Sequence, residues 1–160
     1  MLESLLPGAQ HLQNIHPLVV HFPLAFLVGA AVLYGLGWIT EVDTLATTGF
    51  WLLLLGTVGA GAAVATGLHA EEGVMIDPAV RDALLEPHEQ LMITTLGLSV
   101  VLTVWGFIAR PLPARGRTVF LLLFLVLLAV MSRGADFGGR MVYDYNAGGN
   151  ACPQPIGFTK

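Results

Sequence analysis

Residues 16–39 read HPLVVHFPLAFLVGAAVLYGLGWI and contain no Asp, Glu, Lys or Arg. At about 1.5 Å of rise per residue, a helix of this length crosses the roughly 30 Å hydrocarbon core of a bilayer. Three further apolar runs follow, at roughly Leu45–Leu68, Leu91–Ala109 and Thr118–Met131. The whole chain of 160 residues is 55% hydrophobic and only 11% charged, with a mean hydropathy of +0.74. Soluble domains carry about 25% charged residues, so this composition belongs in a membrane. The sequence therefore predicts an all-α protein, a four-helix transmembrane bundle with both termini on the same side. One domain over 1–160 is expected, with spans at about 17–39, 45–68, 89–109 and 118–135 and an irregular tail over 136–160. The fourth apolar run is short between Arg117 and Arg133. Either the arginines snorkel or the helix runs on into 132–137.

Other features narrow the function classes. Arg81 is the first Lys or Arg in the chain, so the first span lacks the basic start of a signal peptide and is read as retained. Cys152 is the only cysteine, which excludes an intrachain disulfide, a cysteine-rich zinc or iron–sulfur site and covalent haem attachment. A net charge of −4 argues against nucleic acid as a partner. Pro17 fits a first helical turn, whereas Pro23 leaves the Val19 carbonyl without a donor and predicts a kink. Gly59, Ala63 and Gly67 make a small-residue face in span two for close helix approach. Asp77-Pro78 and Glu86-Pro87 bracket an expected short helix in the loop before span three. No internal repeat is evident.

Orientation follows from the arginines. Arg110, Arg115 and Arg117 crowd the RPLPARGR turn at 110–117, which reads as cytoplasmic. The acidic 69–88 loop and both termini are then expected to face outward, towards a bacterial periplasm or its equivalent.

Up-down threading brings His16, His21, His69 and His88 to that outer rim, with His11 preceding them. His16 stands before Pro17 and is expected extended, outside the helix. His21 lies a turn deeper and is expected to point inward above Ala25, Val28 and Val32. His88 heads a stripe of Met92, Thr95 and Ser99 that should face the bundle interior. His21 and His88 are thus the expected pair, with His16 and His69 in an outer layer. Neutral imidazole ligates haem iron and other transition metals. Two histidines from different helices suit a b-type haem, and Arg133 and Arg140 could pair with its propionates. Phe22, Phe137, Tyr143 and Tyr145 could form apolar walls or a quinone-binding edge. Each feature also has a plain structural reading. Histidines at helix ends hydrogen-bond to headgroups or carbonyls, Thr95 and Ser99 bond their own helix, and Arg133 and Arg140 anchor a helix end.

The stretches HPLVVHFPLAFL (16–27), ATGLHA (65–70), PHEQL (87–91) and GGRMVYDYNAG (138–148) resemble the bacterial membrane-protein family known as domain of unknown function 2231. The resemblance covers nearly the whole chain, from about His16 to Gly148, and implies four helices in a membrane. The family motif positions fall here on His16, His21, His88, Gly138, Gly139, Val142 and Tyr143. The resemblance also implies that many relatives carry an acidic residue near the end of span two, where this chain has His69, which disfavours His69 as an obligatory haem ligand. Fusion of relatives to c-type cytochrome or Rieske-type domains implies electron transfer by association.

Three readings follow. The first is an electron-transfer subunit with haem b on His21 and His88 near the outer face, linking the quinone pool to a periplasmic redox partner. A flavin, nicotinamide or iron–sulfur signature is missing, so a non-catalytic subunit of a larger membrane complex is expected rather than an enzyme acting alone. The second is a non-haem metal site built from His16, His21, His69 and His88, with Glu89 or Asp136 as oxygen ligands. The third is a structural anchor or assembly subunit.

Overall fold

A computed structural model describes residues 15–71, 78–110, 113, 115–145 and 147 of the protein. His11, Cys152 and the tail from 148 lie outside the described residues. Four helices carry the fold: α1 (His16–Thr40), α2 (Asp43–Glu71), α3 (Pro78–Ile108) and α4 (Arg117–Tyr145), each long and apolar enough to cross a membrane. No strand occurs among the described residues.

The local chemistry sets where each helix starts, breaks and stops. Pro17 occupies the first turn of α1, where a missing N–H costs nothing. The helix has two pieces, His16–Val19 and His21–Thr40, that meet at Val20. The break lies just ahead of Pro23, which cannot donate to the Val19 carbonyl. His16 is not extended, as expected from its place before proline, but forms the first residue of the helix. The Ile15 carbonyl accepts from the amides of Leu18 and Val19 at 3.1 and 3.2 Å, and the His16 carbonyl accepts from Val20 at 3.1 Å. At the far end of α1, Glu41 takes a left-handed conformation (φ 57°) and the chain turns directly into α2.

The expected short helix at 78–86 is instead the head of α3. One turn of π-helix, Arg81–Leu85, joins it to the rest without a break. The fourth helix does run past Arg133, and continues through 136–145, where an irregular tail was expected to begin. There Met141 packs on Leu84 and Leu85, with Val80, Phe137 and Ala147 around them. At about 1.5 Å per residue, α3 and α4 are some 45 Å long, more than the roughly 30 Å that a hydrocarbon core requires.

Each helix packs on its sequence neighbour, and α4 returns to α1. The core residues reveal a register shared by two hairpins. In α1 the buried Pro23, Leu27, Ala30 and Tyr34 are spaced four, three and four residues apart; Thr95, Ser99, Leu102 and Gly106 in α3 have the same spacing. Gly49, Leu53, Gly56, Ala60 and Ala63 of α2 are matched likewise by Phe120, Phe124, Leu127, Met131 and Gly134 of α4. Such a 3.5-residue period suits helices packed side by side with a left-handed twist. The repeat is one of burial rather than of residue identity, which is why the letters alone conceal it.

Glycines let α1 and α2 approach closely. A Cβ on Gly56 would lie 2.8 Å from Leu27, and one on Gly59 would lie 3.2 Å from the Pro23 ring. The small-residue face expected on α2 therefore meets α1. Towards the 110–117 end the interior is aromatic: Tyr34 meets Phe120 edge-on at 5.0 Å, and Trp105 meets Phe120 at 5.6 Å.

Candidate functional site at the histidine end

The stripe His88, Met92, Thr95 and Ser99 faces inward as expected. Thr95 is 3% exposed and Ser99 is fully buried. Both hydroxyls donate to carbonyls of their own helix, Thr95 to Leu91 and Ser99 to Leu96, each at 2.8 Å. They are satisfied without any ligand.

The ring that meets His88 is His16, not His21. The two imidazole centroids are 6.5 Å apart, with ring planes at 87°. The helical register explains the exchange. Counting back from Tyr34, Ala30, Leu27 and Pro23 by the same alternation reaches His16, so His16 belongs to the buried stripe once α1 begins there. His21 sits on the other side of the helix with Ala25, Val28 and Val32, and all four are exposed. Its Nδ1 lies 3.4 Å from the Leu18 carbonyl on its own helix.

Each inward histidine is seated on the partner helix of its hairpin. A Cβ on Gly67 of α2 would lie 3.0 Å from Cε1 of His16, and one on Gly138 of α4 would lie 3.0 Å from Cε1 of His88. The rings therefore rest against glycine backbone. His88 Nδ1 is 2.8 Å from the Gly134 carbonyl oxygen. A carbonyl can only accept, so Nδ1 carries the proton and the lone pair is on Nε2. His16 Nδ1 is 3.2 Å from the Thr66 hydroxyl.

The remaining residues expected at the site lie elsewhere on this end. His69 is exposed near the end of α2. Arg133 donates to Asp136 at 3.0 Å and covers the Phe137 ring at 4.6 Å. Arg140 lies 3.6 Å from Asp144. Both arginines are thus engaged along their own helix. Tyr143 is 85% exposed, and Tyr145 is exposed too. Phe22 packs beside Phe26 on the outside of α1.

Sequence reasoning offered Glu89 as an oxygen ligand but missed the partners that engage it at this end. The Glu71 and Glu89 carboxyls are hydrogen-bonded to each other, and Arg81 forms an ion pair with Glu71. The π-turn at Arg81–Leu85 separates Arg81 from His88, and no spacing rule for a regular helix reveals its reach to α2. Among the described residues, no group of three or more His, Cys, Asp or Glu side chains is placed to hold a metal ion.

The family profile described as "Predicted membrane protein (DUF2231)" matches residues 12–151. The chain belongs to this family. Neither a curated protein nor a solved structure matches it. The DUF2231 profile takes in all four helices, and with them both seated histidines. The chain is accordingly a membrane protein whose apolar helices contact the lipid bilayer.

Proposed function

We propose that this DUF2231 protein is an electron-transfer subunit that holds a b-type haem between His16 and His88. The observation that carries the reading is the ring pair, two imidazoles from different hairpins with centroids 6.5 Å apart. Rings at this spacing would both reach one metal ion, given metal–nitrogen bonds of about 2.0–2.1 Å. Their number also favours haem. A metal held by protein alone usually takes three or four side chains, whereas haem would need only these two histidines from the protein.

The protein's part is to hold and orient the donors. His88 is fixed through the Gly134 carbonyl, in the manner of metal-ligating histidines whose other nitrogen is hydrogen-bonded. The glycine seats allow both rings to stand against helix backbone. When bound, haem supplies a one-electron couple, tuned by axial ligands, hydrogen bonding and burial.

The reading includes a place and partners. The pair belongs at the periplasmic face of a bacterial inner membrane, because Arg110, Arg115 and Arg117 gather at the opposite end. A position at the membrane boundary suits exchange between the quinone pool, in the bilayer, and a periplasmic redox partner within a larger complex.

Absorption spectra of the purified protein, expressed with a haem precursor, test the proposal. A Soret band and a sharp reduced α band are expected, lost in His16→Ala and His88→Ala and retained in His21→Ala. No Soret band in the parent protein, or equal loss in all three variants, overturns it.

A further inference from the structure

The two seated histidines differ in what receives their Nδ1 proton. For His88 the acceptor is the backbone carbonyl of Gly134. For His16 it is a side chain, the Thr66 hydroxyl. Thr66 Oγ1 lies 2.9 Å from the Ala62 carbonyl and 3.1 Å from the Ala63 carbonyl. Its single proton is donated to these helix carbonyls, so towards His16 the hydroxyl can only accept. The next residue is Gly67, whose missing side chain leaves the surface on which the ring lies.

We infer that Thr66 is a positioning residue for His16, fixing the Nδ1–H tautomer and so placing the ring's lone pair on Nε2. The inference rests on the haem reading for its purpose. It rests on hydrogen-bond geometry alone for its substance. Partners of this kind hold ring orientation, raise ligand basicity and cost about 10–100-fold in metal affinity when removed. A backbone carbonyl remains whatever side chain its residue carries, whereas the Thr66 hydroxyl can be removed by substitution.

The experiment uses the full chain in detergent with Thr66→Val, Thr66→Ser and Thr66→Ala. In the unloaded protein, 15N NMR of the imidazoles reads the His16 tautomer. The Nδ1–H form is expected in the parent and in Thr66→Ser, with a shift towards Nε2–H in Thr66→Val and Thr66→Ala. On titration with haemin, affinity is expected to fall about 10–100-fold in the two variants lacking the hydroxyl and to be kept in Thr66→Ser. Thr66→Ala keeps the test open should Thr66→Val fail to fold. A parent-like tautomer in both hydroxyl-free variants overturns the role of Thr66. A parent that binds no haemin sinks the haem reading alone, because the tautomer still judges Thr66.

Discussion

His88 Nδ1 on α3 lies 2.8 Å from the Gly134 carbonyl oxygen on α4, and the same ring rests one turn further on against Gly138. One hydrogen bond and one missing side chain thus hold the imidazole in a notch. A methyl group on Gly138 would meet Cε1 at 3.0 Å and Nδ1 at 3.2 Å, so the ring or the helix must give way. Gly138→Ala is expected to cost about 1–3 kcal/mol, the usual range for overpacking, and to weaken binding of haemin. Gly139→Ala is the control, since its Cβ would find only Tyr143 at 3.9 Å. Thermal unfolding of both variants in one detergent checks the difference; equal midpoints would remove the notch from consideration.

Close approach of α1 and α2 makes a second prediction. Gly56 lies so near Leu27 that an added Cβ would fall 2.8 Å from its side chain and 3.2 Å from its backbone nitrogen. Gly56→Ala should destabilise by about 1–3 kcal/mol, because the backbone atom cannot rotate aside. A methyl group added at Gly97 would meet nothing within 4 Å, and Gly97→Ala, inside a helix, should leave the unfolding midpoint unchanged or raise it.

Tyr34 yields a third. Its ring is fully buried and its hydroxyl has no hydrogen-bond partner among the described residues. An unpaired buried hydroxyl costs about 1–3 kcal/mol, so Tyr34→Phe is expected to be neutral or stabilising. A clear drop in the unfolding midpoint would mean that the hydroxyl is paired in the membrane.

The orientation can be read with single introduced cysteines. With the 110–117 turn in the cytoplasm, the end of α4 lies on the opposite face, and Tyr143→Cys in a Cys152→Ser background puts one thiol at that exposed position. A membrane-impermeant maleimide should label it in intact spheroplasts. Arg115→Cys in a Cys152→Ser background should react only after lysis. The reverse pattern would invert the topology.

How much of this was legible in the letters depends on what each residue had to signal. Span number and membrane character follow from apolar length, which needs no partner to be read. The inward stripe from His88 to Ser99 was legible because polar residues at helical spacing stand out in a Leu/Val surface. His16 was misplaced because the bias of a residue before proline is local, and packing overrode it. The buried stripe through Pro23, Leu27, Ala30 and Tyr34 does point back to His16, but only with the burial of its members known. The π-turn at Arg81–Leu85 and the carboxyl pair it accompanies depend on contacts between helices. Local sequence holds no record of those.

The shared register of the two hairpins has a consequence for assembly. Tyr34 and Gly106 occupy equivalent places in them, yet they touch: a Cβ on Gly106 would lie 3.1 Å from the Tyr34 hydroxyl oxygen. Two tyrosines could not share that space, and two glycines would leave it hollow. Similarly, Gly49 and Gly56 in one hairpin stand where Phe120 and Leu127 stand in the other. Each hairpin is therefore complementary to the other kind rather than to a copy of itself. The same unlikeness brings His16 of one hairpin against His88 of the other, so the site draws one ring from each half of the fold.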